Sequence, residues 1–260
     1  MSLPEVIVAG NWKMNGLRAD LAEIEAVRTG LVPSCKAGVW IFPPATLIQA
    51  AASLVSGPGW AKVTIGAQDC HAKDFGAFTG DLSAPMLKDA GATAVIVGHS
   101  ERRSGHGETS RDVRAKAAAA LKSGLPVIVC LGETRGEREA GLAAAVCTRQ
   151  LTDSLPAEST PENTIVAYEP VWAIGTGLQA TTADITAIHA VLRAELGKRA
   201  GTGTQRWRIL YGGSVSPANA AQVFESSEVD GVLVGGASLK AASFLAIINA
   251  AMQAMERRRA

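Results

Sequence analysis

The chain has 260 residues, 47% of them hydrophobic and 19% charged, a balance that fits a globular protein and excludes disordered and collagen-like classes. Its 25 Lys and Arg stand against 24 Asp and Glu, so no global field favours nucleic acid or an anionic membrane, and an anionic ligand has to be held by local groups. Cys35, Cys70, Cys130 and Cys147 show no metal or redox spacing and are too sparse for a disulfide scaffold, which predicts reduced thiols in a cytoplasm.

In chain order, runs rich in Val and Ile recur about every 30 residues, each of strand length and without clean polar alternation, as strands covered on both faces read. They are Val6 to Ala9, Gly38 to Phe42, Val63 to Ala67, Ala94 to Val97, Val127 to Cys130, Thr164 to Tyr168, Trp207 to Tyr211 and Gly231 to Val234. Amphipathic, Ala-rich stretches between them predict crossover helices at Leu17 to Leu31, Thr109 to Leu121, Arg138 to Asp153, Thr182 to Leu196 and Ala241 to Met255. Eight such units without a composition break suit a closed (β/α)8 barrel, the TIM-barrel class of α/β fold, as one domain over residues 1–260. An open dinucleotide-binding sheet fits less well.

The N-terminus, Met-Ser-Leu-Pro-Glu, lacks the basic and apolar regions of a secretory signal, and the apolar Phe244 to Met252 stretch is too short to span a bilayer. A cytoplasmic protein without a membrane partner is expected. The terminal Glu256 to Arg259 run reads as a solvated helix end, where cations suit the helix dipole.

One segment, Gln68 to Asp81, has neither helical nor strand period, and long structureless loops in compact domains are commonly functional. Phe75 and Phe78 at its tip either meet a partner that covers them or fold onto the barrel; the sequence leaves both open.

In barrels of this kind the active site lies at the C-terminal ends of the strands. Polar residues gather there: Asn11 and Lys13 follow the first strand, His99 and Glu101 the fourth, and Glu169 ends the sixth, while Ser214 follows the seventh and Gly235 and Gly236 the eighth. Pro170 forces the chain out of the sheet after Glu169, and Gly175 and Gly177 permit backbone angles that other residues resist, so residues 170–177 read as a hinged lid. Ser100 is expected to cap a short helix with His99 beside its first amides. Lys13 provides positive charge for an anionic substrate, and Glu101 is placed to pair with it. The two Gly-Gly turns before helices expose amides suited to phosphate, with the helix dipoles adding to the attraction. Cys130, without an activating base, reads as packing near the site. There is no dinucleotide fingerprint, Walker loop or metal-ligand spacing, so neither a cofactor nor a metal is expected.

The motifs Asn11-Trp-Lys-Met-Asn15, Gly98-His-Ser-Glu-Arg-Arg103, Tyr168 to Gly177, Tyr211-Gly-Gly-Ser214 and Gly231-Val-Leu-Val-Gly-Gly236 together resemble the triosephosphate isomerase family across essentially the whole chain. The resemblance implies interconversion of dihydroxyacetone phosphate and glyceraldehyde 3-phosphate through an enediol. Glu169 would be the base, His99 the electrophile, Lys13 an electrostatic partner, and Asn11 a group that orients the substrate. This family is itself the reference example of an imidazole kept neutral by a helix N-terminus. Gly175, Ser214, Gly235 and Gly236 would hold the phosphate, and Thr79 on a dimer loop would reach a neighbouring subunit's site, which implies a homodimer. Asp69 and Asp81 depart from the Asn and Glu common there, leaving interface detail least defined. Two other readings stay open: an isomerase of a four-carbon keto phosphate, and a phosphate-binding barrel without catalysis. A Schiff-base aldolase ranks lower, because Lys13 lies in a loop.

Overall fold

The computed structural model describes residues 3–56, 63–175, 178–199 and 206–259. Eight parallel strands run β1 (Ile7–Asn11), β2 (Gly38–Phe42), β3 (Val63–Ile65), β4 (Val95–Val97), β5 (Val127–Leu131), β6 (Thr164–Tyr168), β7 (Arg208–Tyr211) and β8 (Gly231–Val234). They pair in the order β3-β2-β1-β8-β7-β6-β5-β4. Just past β3, Ala67 closes the ring: its N–H donates to the Ala94 carbonyl at 2.9 Å and its carbonyl accepts from Ile96 at 2.8 Å. The fold is therefore a TIM barrel. β3 is shorter than the predicted Val63 to Ala67, because only Ala67 beyond Ile65 finds a bridge partner on the neighbouring strand.

Side chains alternate across each strand, and the alternation separates two cores. Ile7 and Ala9 of β1, Trp40 and Phe42 of β2, Ile128 and Cys130 of β5, Ile165 and Ala167 of β6, Leu210 and Leu233 fill the barrel as one buried cluster. Val8, Val39, Ile41, Val127, Val129, Val166 and Val232 point outward into a second cluster with the helices. Both faces are thus buried, which is why the strands lack polar alternation. The inward series 7, 9 and 165, 167 continue to Asn11 and Glu169, so the same period that fills the barrel aims these two polar side chains into its mouth.

The helices are α1 (Leu21–Gly30), α2 (Ile48–Val55), α3 (Ala84–Asp89), α4 (Ser100–Gly105), α5 (Ser110–Lys122), α6 (Arg135–Glu139), α7 (Ala143–Ser154), α8 (Thr182–Gly197), α9 (Ala220–Val223) and α10 (Ala241–Arg259). The predicted Leu17 start of the first helix is instead a 3-10 turn, Arg18–Asp20. The predicted Arg138 to Asp153 helix is broken in two at Gly141, whose φ of 73° no helix accommodates. α2 and α3 are too short for their apolar period to stand out in sequence. The terminal basic run is not simply solvated, since Arg258 donates to the carbonyls of Phe224, Ser226 and Val229 and fastens α10 to the end that opens β8.

In the 68–81 loop the two phenylalanines part company. Phe78 packs on the His71 ring, centroids 4.2 Å apart, while Phe75 remains 87% exposed.

Candidate active site

A cavity of about 500 Å³ opens at the C-terminal end of the barrel, and Asn11, Lys13, His99, Glu101, Glu169, Gly175, Ser214, Gly235 and Gly236 all line it. The expectation on Gly177 lies outside the described residues. Cys130 sits beneath, fully buried inside the barrel, where burial raises its thiol well above the ordinary cysteine value and the charge of Glu169 adds to the effect. Thr79 is not among the residues that line the cavity of its own chain.

Glu169 is 1% exposed. Its backbone N–H donates to the Leu131 carbonyl at 2.8 Å, which carries the β5–β6 pairing one residue beyond the strand. Two glycines make room for it. A Cβ on Gly132 would lie 1.7 Å from the Glu169 carbonyl oxygen, and one on Gly212 would lie 2.9 Å from its Cγ. The carboxylate is gripped from α4: Oε2 accepts from the Ser100 amide at 2.9 Å, Oε1 accepts from the Ser100 hydroxyl at 3.3 Å, and Oε1 lies 2.9 Å from His99 Nε2.

His99, not Ser100, is the N-cap of α4, and Ser100 is its first residue. The shift by one position has a physical reason: the imidazole Nδ1 accepts from the Glu101 amide at 3.2 Å, and the Ser100 amide is thereby left free for Glu169. An accepting Nδ1 puts the ring proton on Nε2, facing the carboxylate. Burial pulls the basicity of His99 down, but the charge and hydrogen bond of Glu169 outweigh it and hold the ring above the ordinary histidine value while the two are paired.

Lys13 has φ 54°, a left-handed conformation costly for a residue with a Cβ. Three contacts hold it there. Its amide donates to Asn11 Oδ1 at 3.0 Å, its carbonyl accepts from Gln68 Nε2 at 2.8 Å, and its Nζ meets Glu101 Oε1 at 2.6 Å. Gln68 also donates to the Phe42 carbonyl at 2.9 Å, so one amide side chain ties β2 to the lysine turn. A Cβ on Gly235 would come within 3.5 Å of Lys13 Cε, which places the ammonium stem against the second glycine turn.

The two glycine turns expected to hold phosphate differ in detail from expectation. The helix after the first Gly-Gly turn, α9, is only four residues and begins at Ala220, so its dipole adds little there. The second turn opens a 3-10 turn, Gly236–Ser238, whose first residue, Gly236, lines the cavity and has no backbone acceptor within the turn.

The lid begins with a 3-10 turn, Val171–Ala173, after Pro170. Glu133, wholly buried, latches it: Oε1 accepts from Trp172 Nε1 at 2.9 Å, from the Tyr168 hydroxyl at 3.0 Å and from Arg138 at 3.2 Å. The Arg138 guanidinium stacks 4.5 Å over the Trp172 ring and pairs with Asp184, the residue that completes the capping box of α8. On the other side the Ser214 hydroxyl donates to the Ala173 carbonyl at 3.0 Å. Gly132, Glu133, Arg138 and Gln68 carry no motif of their own in the sequence, and Gly212, expected to offer an amide to phosphate, also makes room for Glu169. Gly132 and Glu133 follow a strand end as the chosen residues do, and that signal was available for them.

The family model described as "Triosephosphate isomerase" matches residues 6–251. The triosephosphate isomerase of Rhodopseudomonas palustris strain BisA53 is 57% identical over 242 residues, 93% of this chain and 95% of the relative. That of Afipia carboxidovorans is 57% identical over 251 residues, 94% of this chain and 96% of the relative. Among solved structures, the crystal structure of the Bartonella henselae triosephosphate isomerase superposes with a TM-score of 0.87 at 44% identity, covering 95% of this chain and 98% of that one.

Proposed function

The chain belongs to the triosephosphate isomerase family, and from that premise we propose how its residues divide the work. The reaction is the aldose–ketose interconversion of dihydroxyacetone phosphate and D-glyceraldehyde 3-phosphate. The four-carbon and non-catalytic readings lose their footing once most of the chain aligns with enzymes of this one activity.

Glu169 is the base. To act it leaves Ser100 and His99 and turns toward the substrate, where one carboxylate oxygen removes the proton from C1 of the ketone. His99 Nε2–H donates to the carbonyl oxygen, and the electron pair released from the C–H bond moves into an enediolate. A proton passes from the C1 hydroxyl to the C2 oxygen by way of His99, and Glu169 then delivers its own proton to C2, which leaves C1 as the aldehyde and C2 as the carbinol. Lys13 stabilises the charge that develops on oxygen, and Asn11 orients both the lysine turn and the substrate. The phosphate rests on the amides of Gly175, Ser214, Gly235 and Gly236. Closure of residues 170–177 over it excludes water and protects the enediol phosphate from eliminating its phosphate. The single observation that carries this reading is the grip of His99 and Ser100 on a buried Glu169 in the cavity that Lys13 also faces.

The protein works as a cytoplasmic homodimer in this reading, with one barrel per chain as the catalytic unit. Met14, Leu17 and Phe75 expose large apolar surface, and a second copy covers such a face; Thr79 then enters the neighbour's site near Asn11. No helix among the described residues is long and apolar enough to cross a membrane. A coupled assay with glyceraldehyde 3-phosphate, repeated with a four-carbon phosphate, tests the activity: turnover of the triose is expected, and a preference for the longer substrate contradicts the reading. Sedimentation at assay concentration tests the dimer, which a monomer at full activity refutes.

A further inference from the structure

α4 is six residues long, too short to hold its own direction, yet it carries three contacts of the site. His99 at its N-cap and the Ser100 amide meet Glu169, and Glu101 meets Lys13. Its direction is fixed from below by Arg103. Nε of that side chain donates back to the Gly98 carbonyl at 2.9 Å, and NH2 donates to the Cys130 carbonyl at 3.0 Å and to the Ser154 hydroxyl at 3.0 Å. NH1 donates to the Ser110 hydroxyl at 3.2 Å. A single fork thus spans the residue before His99, the inward edge of β5, the start of α5 and the end of α7. Among the described residues all four acceptors are neutral, whereas the adjacent Arg102 pairs with the carboxylates of Asp69 and Glu108. Gly98 turns at φ 67°, and a Cβ there would meet the Val113 methyls at 2.7 Å and Arg103 NH2 at 3.1 Å, so the turn that leads into His99 packs closely on both α5 and the guanidinium.

We propose that Arg103 is a positioning residue for the isomerisation: its four-way clamp sets the direction of α4 and so aligns His99 Nε2 and the Ser100 amide with the reacting carbons and the carboxylate. The inference rests on the roles given above to Glu169 and His99. It separates two parts of the site, because the phosphate is held by the lid and the loops after β7 and β8, none of which α4 carries.

The test compares Arg103→Met and Arg103→Lys in the full chain, measuring kcat and KM with glyceraldehyde 3-phosphate and inhibition by inorganic phosphate. In Arg103→Met, kcat is expected to fall at least about tenfold while KM and the phosphate inhibition constant stay within about twofold, because misalignment costs the chemical step and not the anion site. Lys retains one or two of the bonds and is expected to recover part of kcat. A kcat within about twofold of the parent in both variants overturns the proposal, as does a parallel loss in all three quantities, which marks general damage. Should Arg103→Met not fold, Arg103→Lys and the double substitution Ser110→Ala, Ser154→Ala are judged by the same criteria. Glu169→Asp is measured alongside: near-normal turnover there removes the base assignment itself, whereas an impaired Glu169→Asp with a normal Arg103 series removes only this inference.

Discussion

The carboxylate of Glu169 accepts a hydrogen bond from the backbone amide of Ser100 at 2.9 Å. A carboxylate held this way is parked, and its two shortest tethers, the Ser100 amide and His99 Nε2 at 2.9 Å, both survive loss of the Ser100 hydroxyl. The Ser100 hydroxyl, at 3.3 Å, is the longer contact. Ser100→Ala is therefore expected to change kcat by no more than about tenfold, in line with the roughly 0.5–1.5 kcal/mol net worth of one neutral donor. A drop of two orders of magnitude in steady-state turnover would show that the hydroxyl, not the amide, does the holding.

Glu133 gathers Trp172, Tyr168 and Arg138 on one carboxylate oxygen, and a fourth group, the Cys147 thiol, approaches the other at 3.6 Å. Glu133→Leu takes the shared acceptor from the Tyr168 hydroxyl, the Trp172 indole and one branch of Arg138, whose other branch keeps Asp184, a combined loss on the order of 3–5 kcal/mol. Urea unfolding of the parent and the variant measures it. A difference below about 1 kcal/mol would mean that water or another acceptor replaces the carboxylate without penalty.

Asp69 is raised above the usual aspartate value, chiefly because burial disfavours its charge; Lys116 and Arg102 offset part of this, and Glu108 adds to it. Its Oδ1 has no partner among the described residues. The folded protein therefore binds this proton more tightly than the unfolded chain does, so stability falls as pH rises from about 3.9 through the raised folded value. A neutral amide at this position would mimic the protonated carboxyl at every pH. Asp69→Asn is thus expected to melt higher than the parent at neutral pH, with the gap closing as pH drops toward about 4. Melting temperatures at the two pH values decide it, and a loss at neutral pH would show that the ion pairs outweigh burial.

The barrel was legible because its strands are buried on both faces and so read as apolar runs, and because the loops at their C-terminal ends hold the polar residues. Asn11 and Glu169 continue the inward period of their own strands, which makes their convergence a consequence of register. What escaped notice has no period. Gln68 acts through two carbonyls, Gly132 through the space it leaves, and Arg138 through a stacking contact on a residue 34 positions away in sequence. The cap of α4 was misplaced by one residue because histidine is rarely a cap; here its Nδ1 does what a serine hydroxyl usually does. The helix dipoles proposed for phosphate were overestimated because sequence shows where a helix is allowed, not that α9 starts late and stays short.

The central claim is that Glu169 carries the proton between the two carbons, and Glu169→Asp tests it most directly. The substitution keeps the charge but withdraws the carboxylate by one methylene, about 1 Å or more from the reacting carbon, a misplacement that costs about 100-fold. Steady-state kinetics with glyceraldehyde 3-phosphate should show kcat lower by about that factor with KM little changed, since the phosphate site is untouched. A kcat within about threefold of the parent would contradict the account and require another base in the same cavity.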